Sequence, residues 1–115
     1  MILNVEQLEI YVRPGKTDMR KQINGLSAIV QEDMELNLFS PSLFLFCNRE
    51  RRILKAIYWD KNGFCQWLKK LEKDRFPWPK DEIEALEISH EQLNLLLQGI
   101  DFWKAHKTLN YCEVL

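Results

Sequence analysis

Residues 43–79 decide the fold of this chain and read LFLFCNRERRILKAIYWDKNGFCQWLKKLEKDRFPWP. Two apolar runs rich in strand-forming residues, 43–47 and 53–59, lie on either side of a short polar segment, 48–52, that holds three arginines. This order predicts an antiparallel β-hairpin with the arginines at its tip. Residues 60–63, DKNG, then end the second strand, because an Asn-Gly pair readily adopts positive φ.

The segment 64–74 that follows the Asn-Gly pair has two interpretations. Its apolar residues recur at the spacing of one helix face, with polar and charged residues on the other side. We therefore predict a helix. A third strand over 64–68 is the alternative, but adjacent apolar pairs break the alternation expected of a half-buried strand. Either element must end before the prolines of 76–79, FPWP, which force extended or turn conformations.

Further elements are predicted on the N-terminal side of this stretch. Residues 6–13 alternate between polar and apolar side chains, which predicts an opening strand, and Pro14-Gly15 turns the chain. An apolar stripe at helical spacing then predicts a helix over residues 18–34, with Thr17 as its N-cap.

The C-terminal third predicts a short strand followed by a helix. Residues 85–88 are the strand candidate. Ser89 and Gln92 have the spacing of a capping box, and the helix that they open covers residues 90–98. Gly99 ends this helix as a left-handed C-cap.

These elements together predict a small α+β domain. Its curved, mostly antiparallel sheet contains the central hairpin, and two or three helices pack on it. A chain of 115 residues with 46% hydrophobic side chains is expected to form one domain. We place that domain at residues 1–103, with residues 104–115 as a C-terminal tail.

The charges are unevenly distributed along the chain. The formal net charge is only −1, but residues 36–80 hold ten basic and four acidic side chains, a local net charge of +6. Residues 1–35 and 81–115 have net charges of −2 and −5. A chain that is neutral overall does not hold nucleic acid by bulk charge, whereas a local basic surface is able to do so. Charge segregation of this kind is also common on ordinary solvated faces.

Nucleic-acid binding is the function that the basic segment favours. Arginines at a hairpin tip are able to reach backbone phosphates, and the cations after the hairpin extend that surface. The candidate DNA-binding residues are Arg49, Arg51, Arg52, Lys55, Lys69, Lys70, Lys73 and Arg75. Trp67 or Trp78 would stack on exposed bases. Large aromatic side chains more often fill a core, and we expect Trp59 inside and Trp78, between two prolines, to be the most exposed tryptophan.

The sequence contains no recognised catalytic motif. Glycine-rich phosphate loops, nucleophile elbows, Cys–His pairings and zinc-binding spacings are absent from it, so we predict a protein that is not an enzyme and has no metal or cofactor. Asp60 and Asp18 are the carboxylates to consider for a small metal-dependent nuclease, although Asp60 fits an ordinary turn better. Three cysteines without such spacing indicate reduced thiols in the cytoplasm, and no apolar run approaches the ~20 residues of a membrane span.

Several short blocks occur in an order that resembles a known family. They lie within residues 8–103 and include the motif residues Thr17, Asp18, Met19, Arg20, Lys21, Trp59, Asp60 and Trp78. The chain resembles the TnpB accessory protein, the product of the second reading frame, in the insertion sequence 66 family of bacterial transposable elements. The tip sequence at 48–52 departs from relatives that are richer in glycine, and the resemblance does not extend over the tail.

The resemblance implies a part in DNA transposition, the recombination reaction of mobile elements. A separate, larger transposase would perform strand cleavage and transfer, and no catalytic residue is carried over to this chain. The leading hypothesis is a non-catalytic accessory protein that contacts element-end DNA through its basic surface. The alternative is a protein-interaction module that docks the transposase without DNA contact, through the aromatics of 76–79 and the acidic segment 81–91.

Overall fold

The computed structural model describes residues 5–80 and 85–103. The predicted tail at 104–115 and part of the acidic segment 81–91 lie outside these residues. The prediction of one domain over residues 1–103 therefore stays a prediction.

The described residues form an open five-stranded sheet with two α-helices, which confirms the predicted α+β class. After a short 3-10 helix at Val5–Gln7, the elements are β1 (Glu9–Val12), α1 (Ile23–Glu32), β2 (Ser42–Cys47), β3 (Ile53–Asp60), β4 (Gly63–Lys70), β5 (Leu86–Ile88) and α2 (His90–Leu97). The strand order is β4-β3-β2-β1-β5. Only the β1–β2 pair among these is parallel, and the other three pairs are antiparallel.

The central hairpin is confirmed, and its first strand is the most deeply buried element of the sheet. Strand β2 pairs with β3 from Leu43, opposite Tyr58, to Cys47, opposite Leu54. Every residue of β2 is buried, because packed layers cover both faces of the sheet there. An apolar run without alternation is the pattern expected of a strand with two covered faces.

Two apolar clusters hold these layers together, one on each face of the sheet. The cluster on the α1 face includes Leu26, Val30, Phe44, Phe46 and Ile57. The cluster on the α2 face also takes in the chain after β4, and it includes Leu45, Ala56, Phe76, Trp78 and Leu96. Successive side chains of β2 alternate between these clusters, as the pleat of a strand requires.

The helix predicted for residues 64–74 is wrong, since residues 63–70 form β4. The whole strand pairs with β3, from Gly63 opposite Asp60 to Lys70 opposite Ile53. A two-residue turn places the chain directly beside the unpaired edge of β3, and pairing satisfies those buried backbone groups. Adjacent apolar residues are tolerated because both sheet faces are partly covered: Phe64 packs against the α1 cluster and Trp67 against the other.

Helix α1 is shorter than predicted, since it covers Ile23–Glu32 rather than 18–34, and Thr17 is not its N-cap. The N-cap position is occupied by Gln22, whose side chain makes no capping hydrogen bond. Thr17 is buried instead: its backbone N–H donates to the Cys47 carbonyl at 2.8 Å. The chain before α1 is thus bonded to the end of β2 and does not extend the helix.

The predicted capping box of α2 is confirmed. The Ser89 hydroxyl accepts from the Gln92 backbone N–H at 3.1 Å, and the Gln92 side chain accepts from the Ser89 backbone N–H at 2.8 Å. Gly99 follows the helix with φ +80°, the left-handed conformation that favours glycine.

The expected positions of two tryptophans are wrong. Trp78 is only 6% exposed, because its ring belongs to the core and its Nε1–H donates to the Arg13 carbonyl at 2.9 Å. Trp59 is half-buried rather than inside. Its ring lies 5.1 Å from that of Phe39 and 4.8 Å from that of Phe64, near the outer end of the β3–β4 hairpin.

We expect Ser89→Ala to lower the free energy of unfolding by about 1 kcal/mol, because the Gln92 backbone N–H loses the hydroxyl that caps it. Urea unfolding followed by circular dichroism measures this change. Asn94→Ala, at an exposed position of the same helix, is the control and should change stability much less. Equal urea midpoints for Ser89→Ala and the unchanged protein would contradict the assignment.

We expect the Cys47 thiol to resist alkylation in the folded protein. Burial raises its pKa from 9.0 to about 12, so almost no thiolate forms at about pH 8. Because the folded pKa is the higher one, this contribution to stability is present below pH 9.0 and is lost as the pH rises toward 12. Mass spectrometry after iodoacetamide treatment should show the half-buried Cys65 modified first and Cys47 only after unfolding. Equal rates at both cysteines in the folded protein would refute this.

Candidate nucleic-acid interface

The hairpin tip, residues 48–52, is held in one conformation by its own hydrogen bonds. The Asn48 side-chain oxygen accepts from the backbone N–H groups of Arg52 at 2.9 Å and Ile53 at 3.1 Å. The Arg51 N–H donates to the Asn48 carbonyl, and Arg51 itself has φ +62°. A non-glycine residue in this region is strained unless its surroundings hold it there. The three tip arginines therefore project from a defined loop.

The chain after β4 returns along this tip. The Leu71 N–H donates to the Arg52 carbonyl at 2.8 Å, and the Phe76 N–H donates to the Arg51 carbonyl at 2.7 Å. The Arg52 guanidinium donates to the Glu72 carbonyl at 3.1 Å. These contacts bring the exposed cations of residues 73–75 to the same end of the molecule as the hairpin tip.

The loop after β1 lies on the other side of the returning chain. The Gly15 N–H donates to the Pro79 carbonyl at 2.8 Å, and the Trp78 indole donates to the Arg13 carbonyl. Gly15 has φ +79°, so the turn that carries Lys16 requires glycine. The Arg13 guanidinium, paired with Asp33 at 3.1 Å, also donates to the Lys16 carbonyl at 3.1 Å.

These three segments line a small, partly open pocket, and four of its described lining residues are cationic. We call it the basic pocket; its cationic residues are Lys16, Arg49, Arg51 and Lys80. Its volume is about 210 Å³, and its other lining residues are Gly15, Asn48, Trp78 and Pro79. Among the residues that the structure describes, no carboxylate lines this pocket. The walls therefore impose a positive potential that favours an anion.

A second, wider depression adjoins the basic pocket and shares Lys16, Asn48 and Arg49 with it. It contains two carboxylates, Asp18 and Glu50. Glu50 accepts from the Asn48 side-chain amide at 3.2 Å, and Arg20 already binds both oxygens of Asp18. Hydrogen bonding from this guanidinium lowers the pKa of Asp18 from 3.8 to about 2. Since Asp18 is paired within its own loop, it offsets less of the charge of the pocket cations.

The structure gathers most of the candidate DNA-binding residues at this end of the molecule. Arg49 and Arg51 line the basic pocket, and Arg52 lies beside it. Three further candidates lie near them: Lys70 is the last residue of β4, and Lys73 and Arg75 lie on the returning chain. Sequence reasoning missed Lys16 and Lys80, which are far apart along the chain. Only their positions next to Gly15 and Pro79, the turn residues, could have drawn attention to them.

Two of the candidate residues are not available at this surface. Lys55 is 2% exposed, and its ammonium donates to the carbonyls of Met19 at 2.7 Å and Lys21 at 2.9 Å, so its assignment to the surface is wrong. The Lys69 ammonium donates to the Leu97 carbonyl at 2.9 Å, at the C-terminal end of α2. A cation at that end also interacts favourably with the helix dipole.

The other family-motif residues lie in the loop before α1 and at the end of β3. The buried Lys55 fastens residues 17–21 to the sheet, which explains why the chain there is not helical. Asp60 is exposed at the end of β3, beside the turn. Within residues 5–80 and 85–103, no three Asp, Glu, His or Cys side chains lie close enough together to hold a metal ion.

No helix of the described part of the chain is both long and apolar enough to cross a membrane.

The fold and this site define a small α+β protein with a preformed cationic surface, and comparison with known proteins places it in a family. Residues 8–107 match the family described as IS66 Orf2 like protein. The uncharacterized protein y4hO of Sinorhizobium fredii (strain NBRC 101917 / NGR234) is 37% identical over 108 residues, 94% of each chain. The uncharacterized protein y4jC of the same organism is 31% identical over 100 residues, 87% of this chain and 86% of its own. No solved structure matches significantly.

The chain therefore belongs to the IS66 Orf2-like family, and the resemblance noted in the sequence is confirmed. Proteins of this family are transposition-associated accessory proteins of insertion sequences.

We expect Lys55→Met to lower the free energy of unfolding by about 1–3 kcal/mol, because the Met19 and Lys21 carbonyls lose their buried donor. Lys70→Met, at an exposed position on the same face of the sheet, is the matched control and should change it by less than about 0.5 kcal/mol. Urea unfolding measures both values. Equal stability of the two variants would show that the buried ammonium does not hold residues 17–21.

Proposed function

We propose that this protein is a non-catalytic accessory subunit of a transposition complex, and that it contacts DNA through the basic surface at the hairpin tip. A separate, larger transposase supplies the catalytic groups, and the reaction takes place in the cytoplasm. The protein contributes binding energy and position rather than chemistry, and requires no cofactor of its own.

One observation carries the proposal: cations from three distant segments of the sequence meet around a single cavity. The ion pairs in which both partners are described residues join Arg13 to Asp33 and Arg20 to Asp18. Thus none of the four pocket cations is neutralised by a carboxylate of the described chain. Maintaining four like charges close together has a repulsive cost, which an anionic partner such as the DNA backbone offsets.

The overall charge of −1 is compatible with this proposal. Charges on a protein surface are screened over a Debye length of about 8 Å at physiological ionic strength, so a phosphate responds mainly to the nearest side chains. The exposed carboxylates Glu50, Glu72 and Asp74 lie at the same end of the molecule, but none of them is a lining residue of the basic pocket.

A second candidate function is docking of the transposase without DNA contact. The surface available for it differs from the one predicted from the sequence. The aromatics of 76–79 do not offer it, because Phe76 and Trp78 are buried. Exposed apolar side chains lie instead near the outer end of the β3–β4 hairpin and on β4. Phe39 is 55% exposed and packs against Trp59 and Phe64, and Leu68 is 51% exposed. Exposed apolar groups of this kind favour protein contacts.

We expect the double substitution Arg49→Glu/Arg51→Glu to weaken binding to duplex DNA and to flatten its salt dependence. The logarithm of the affinity falls with the logarithm of the salt concentration by about 0.9 for each phosphate contact, so losing two contacts lowers the slope by about 1.8. Fluorescence anisotropy with a labelled element-end duplex, repeated across a salt series, measures both quantities.

The matched control is a charge reversal of Lys61, which is exposed in the turn at the other end of β3. Lys61→Glu should leave the slope nearly unchanged. Element-end binding that Arg49→Glu/Arg51→Glu leaves intact would refute the basic surface. No DNA binding together with a transposase pull-down that survives nuclease, and that Leu68→Ser weakens, would favour the docking function.

A further inference from the structure

We propose that the basic pocket binds a phosphate monoester, the terminal phosphate of a nucleic-acid strand, in preference to a phosphodiester within the strand. This inference rests on the proposed DNA-binding function and names the part of the DNA that the pocket recognises. It depends on the size, charge and rigidity of the pocket.

The size of the pocket suits one small group. A volume of about 210 Å³ corresponds to roughly seven water molecules at their liquid volume. Its walls come from three chain segments, and the buried Trp78 with Pro79 closes one side. A phosphodiester carries covalent chain on two sides, so fewer of its oxygens are free to contact the walls of a small pocket. A terminal phosphate has chain on one side only and enters with three free oxygens.

The charge of the pocket also matches a monoester better. A phosphodiester carries one negative charge, whereas a phosphate monoester carries about −1.5 to −2 at pH 7 and has three strong acceptor oxygens. Four cations, with no carboxylate among the described lining residues, exceed the charge of one phosphodiester group. The two arginines are able to donate paired hydrogen bonds to such oxygens, and the two lysines act as point charges.

The pocket is organised before any ligand arrives. Arg51 is held at φ +62° by hydrogen bonds at both its backbone N–H and its carbonyl. Strained backbone positions that the surrounding structure maintains cluster at ligand sites. The bonds of Gly15 to Pro79 and of Trp78 to Arg13 fix the opposite walls. The backbone of the walls is therefore fixed before a phosphate binds, and the ordering cost is confined to the cationic side chains.

The test compares three single-stranded oligonucleotides of one sequence that carry a phosphate at the 5′ end, at the 3′ end or at neither. Fluorescence anisotropy with an internal label measures their affinities for the full chain. We expect a terminal phosphate to increase the affinity about tenfold, the effect of one additional charge-assisted hydrogen bond. Inorganic phosphate, added at constant ionic strength, should abolish this gain in affinity only at high concentration.

Matched variants assign the difference to the pocket. Lys16 and Lys80 are exposed, so Lys16→Gln/Lys80→Gln should fold normally and lose the preference for a terminal phosphate. Lys61→Gln/Lys73→Gln removes the same charge from exposed positions that do not line the pocket, and should keep the preference even where its overall affinity falls.

The outcomes separate this inference from the proposed function. Binding of all three oligonucleotides with equal affinity would overturn the inference and leave the DNA-binding function standing. No binding of any oligonucleotide or duplex would overturn both. Tight binding of inorganic phosphate without a preference for phosphorylated ends would overturn the inference by showing a site for the free ion. A preference that survives Lys16→Gln/Lys80→Gln would equally exclude the pocket.

Discussion

Burial of the central strand on both faces is the constraint from which the rest of the structure follows. Strand β2 has no exposed residue, so one layer must cover each side of it. Helix α1 covers one side, and α2 with the chain around Phe76 and Trp78 covers the other. The ends of these covering segments meet the loops at one end of the sheet. The basic pocket is formed there, so the packing that completes the core also positions the candidate site.

The functional proposal depends on a local excess of charge rather than on composition. Aromatic side chains are used mainly for packing. Trp78 contributes both to the core, in which its ring is packed, and to the basic pocket, which it lines. Buried Lys55 has a comparable double effect, since its hydrogen bonds hold residues 17–21 and thereby shape the wider depression next to the pocket. Core, loop and site are therefore parts of one hydrogen-bonded arrangement.

Much of the fold was predictable because local signals and tertiary packing agree. The hairpin of β2 and β3, the first strand and the capping box at Ser89 were all predicted from pattern and turn chemistry. The segment 64–74 was not, because its apolar residues fit a helix face as well as a strand with two partly covered faces. The unpaired edge of β3 decided in favour of the strand. The periodicity of a sequence does not show which strand edge is unpaired. Trp78 was misplaced for a related reason: flanking prolines suggest an exposed loop, whereas a partner for the indole lies 65 residues away in the sequence.

The sequence alone determined the class of fold, the central hairpin, the excess of positive charge in residues 36–80 and the family. These depend on local backbone preferences, on counting charges and on the order of short motifs. Tertiary structure decided which cations share a surface. Lys55 and Lys69 donate to backbone carbonyls elsewhere in the fold, whereas Lys16 and Lys80 line the basic pocket. The physical reason is that hydrogen bonds between the loops at 13–17, 48–52 and 76–80 join segments far apart along the chain, and nothing in the local sequence of any one of them specifies the others.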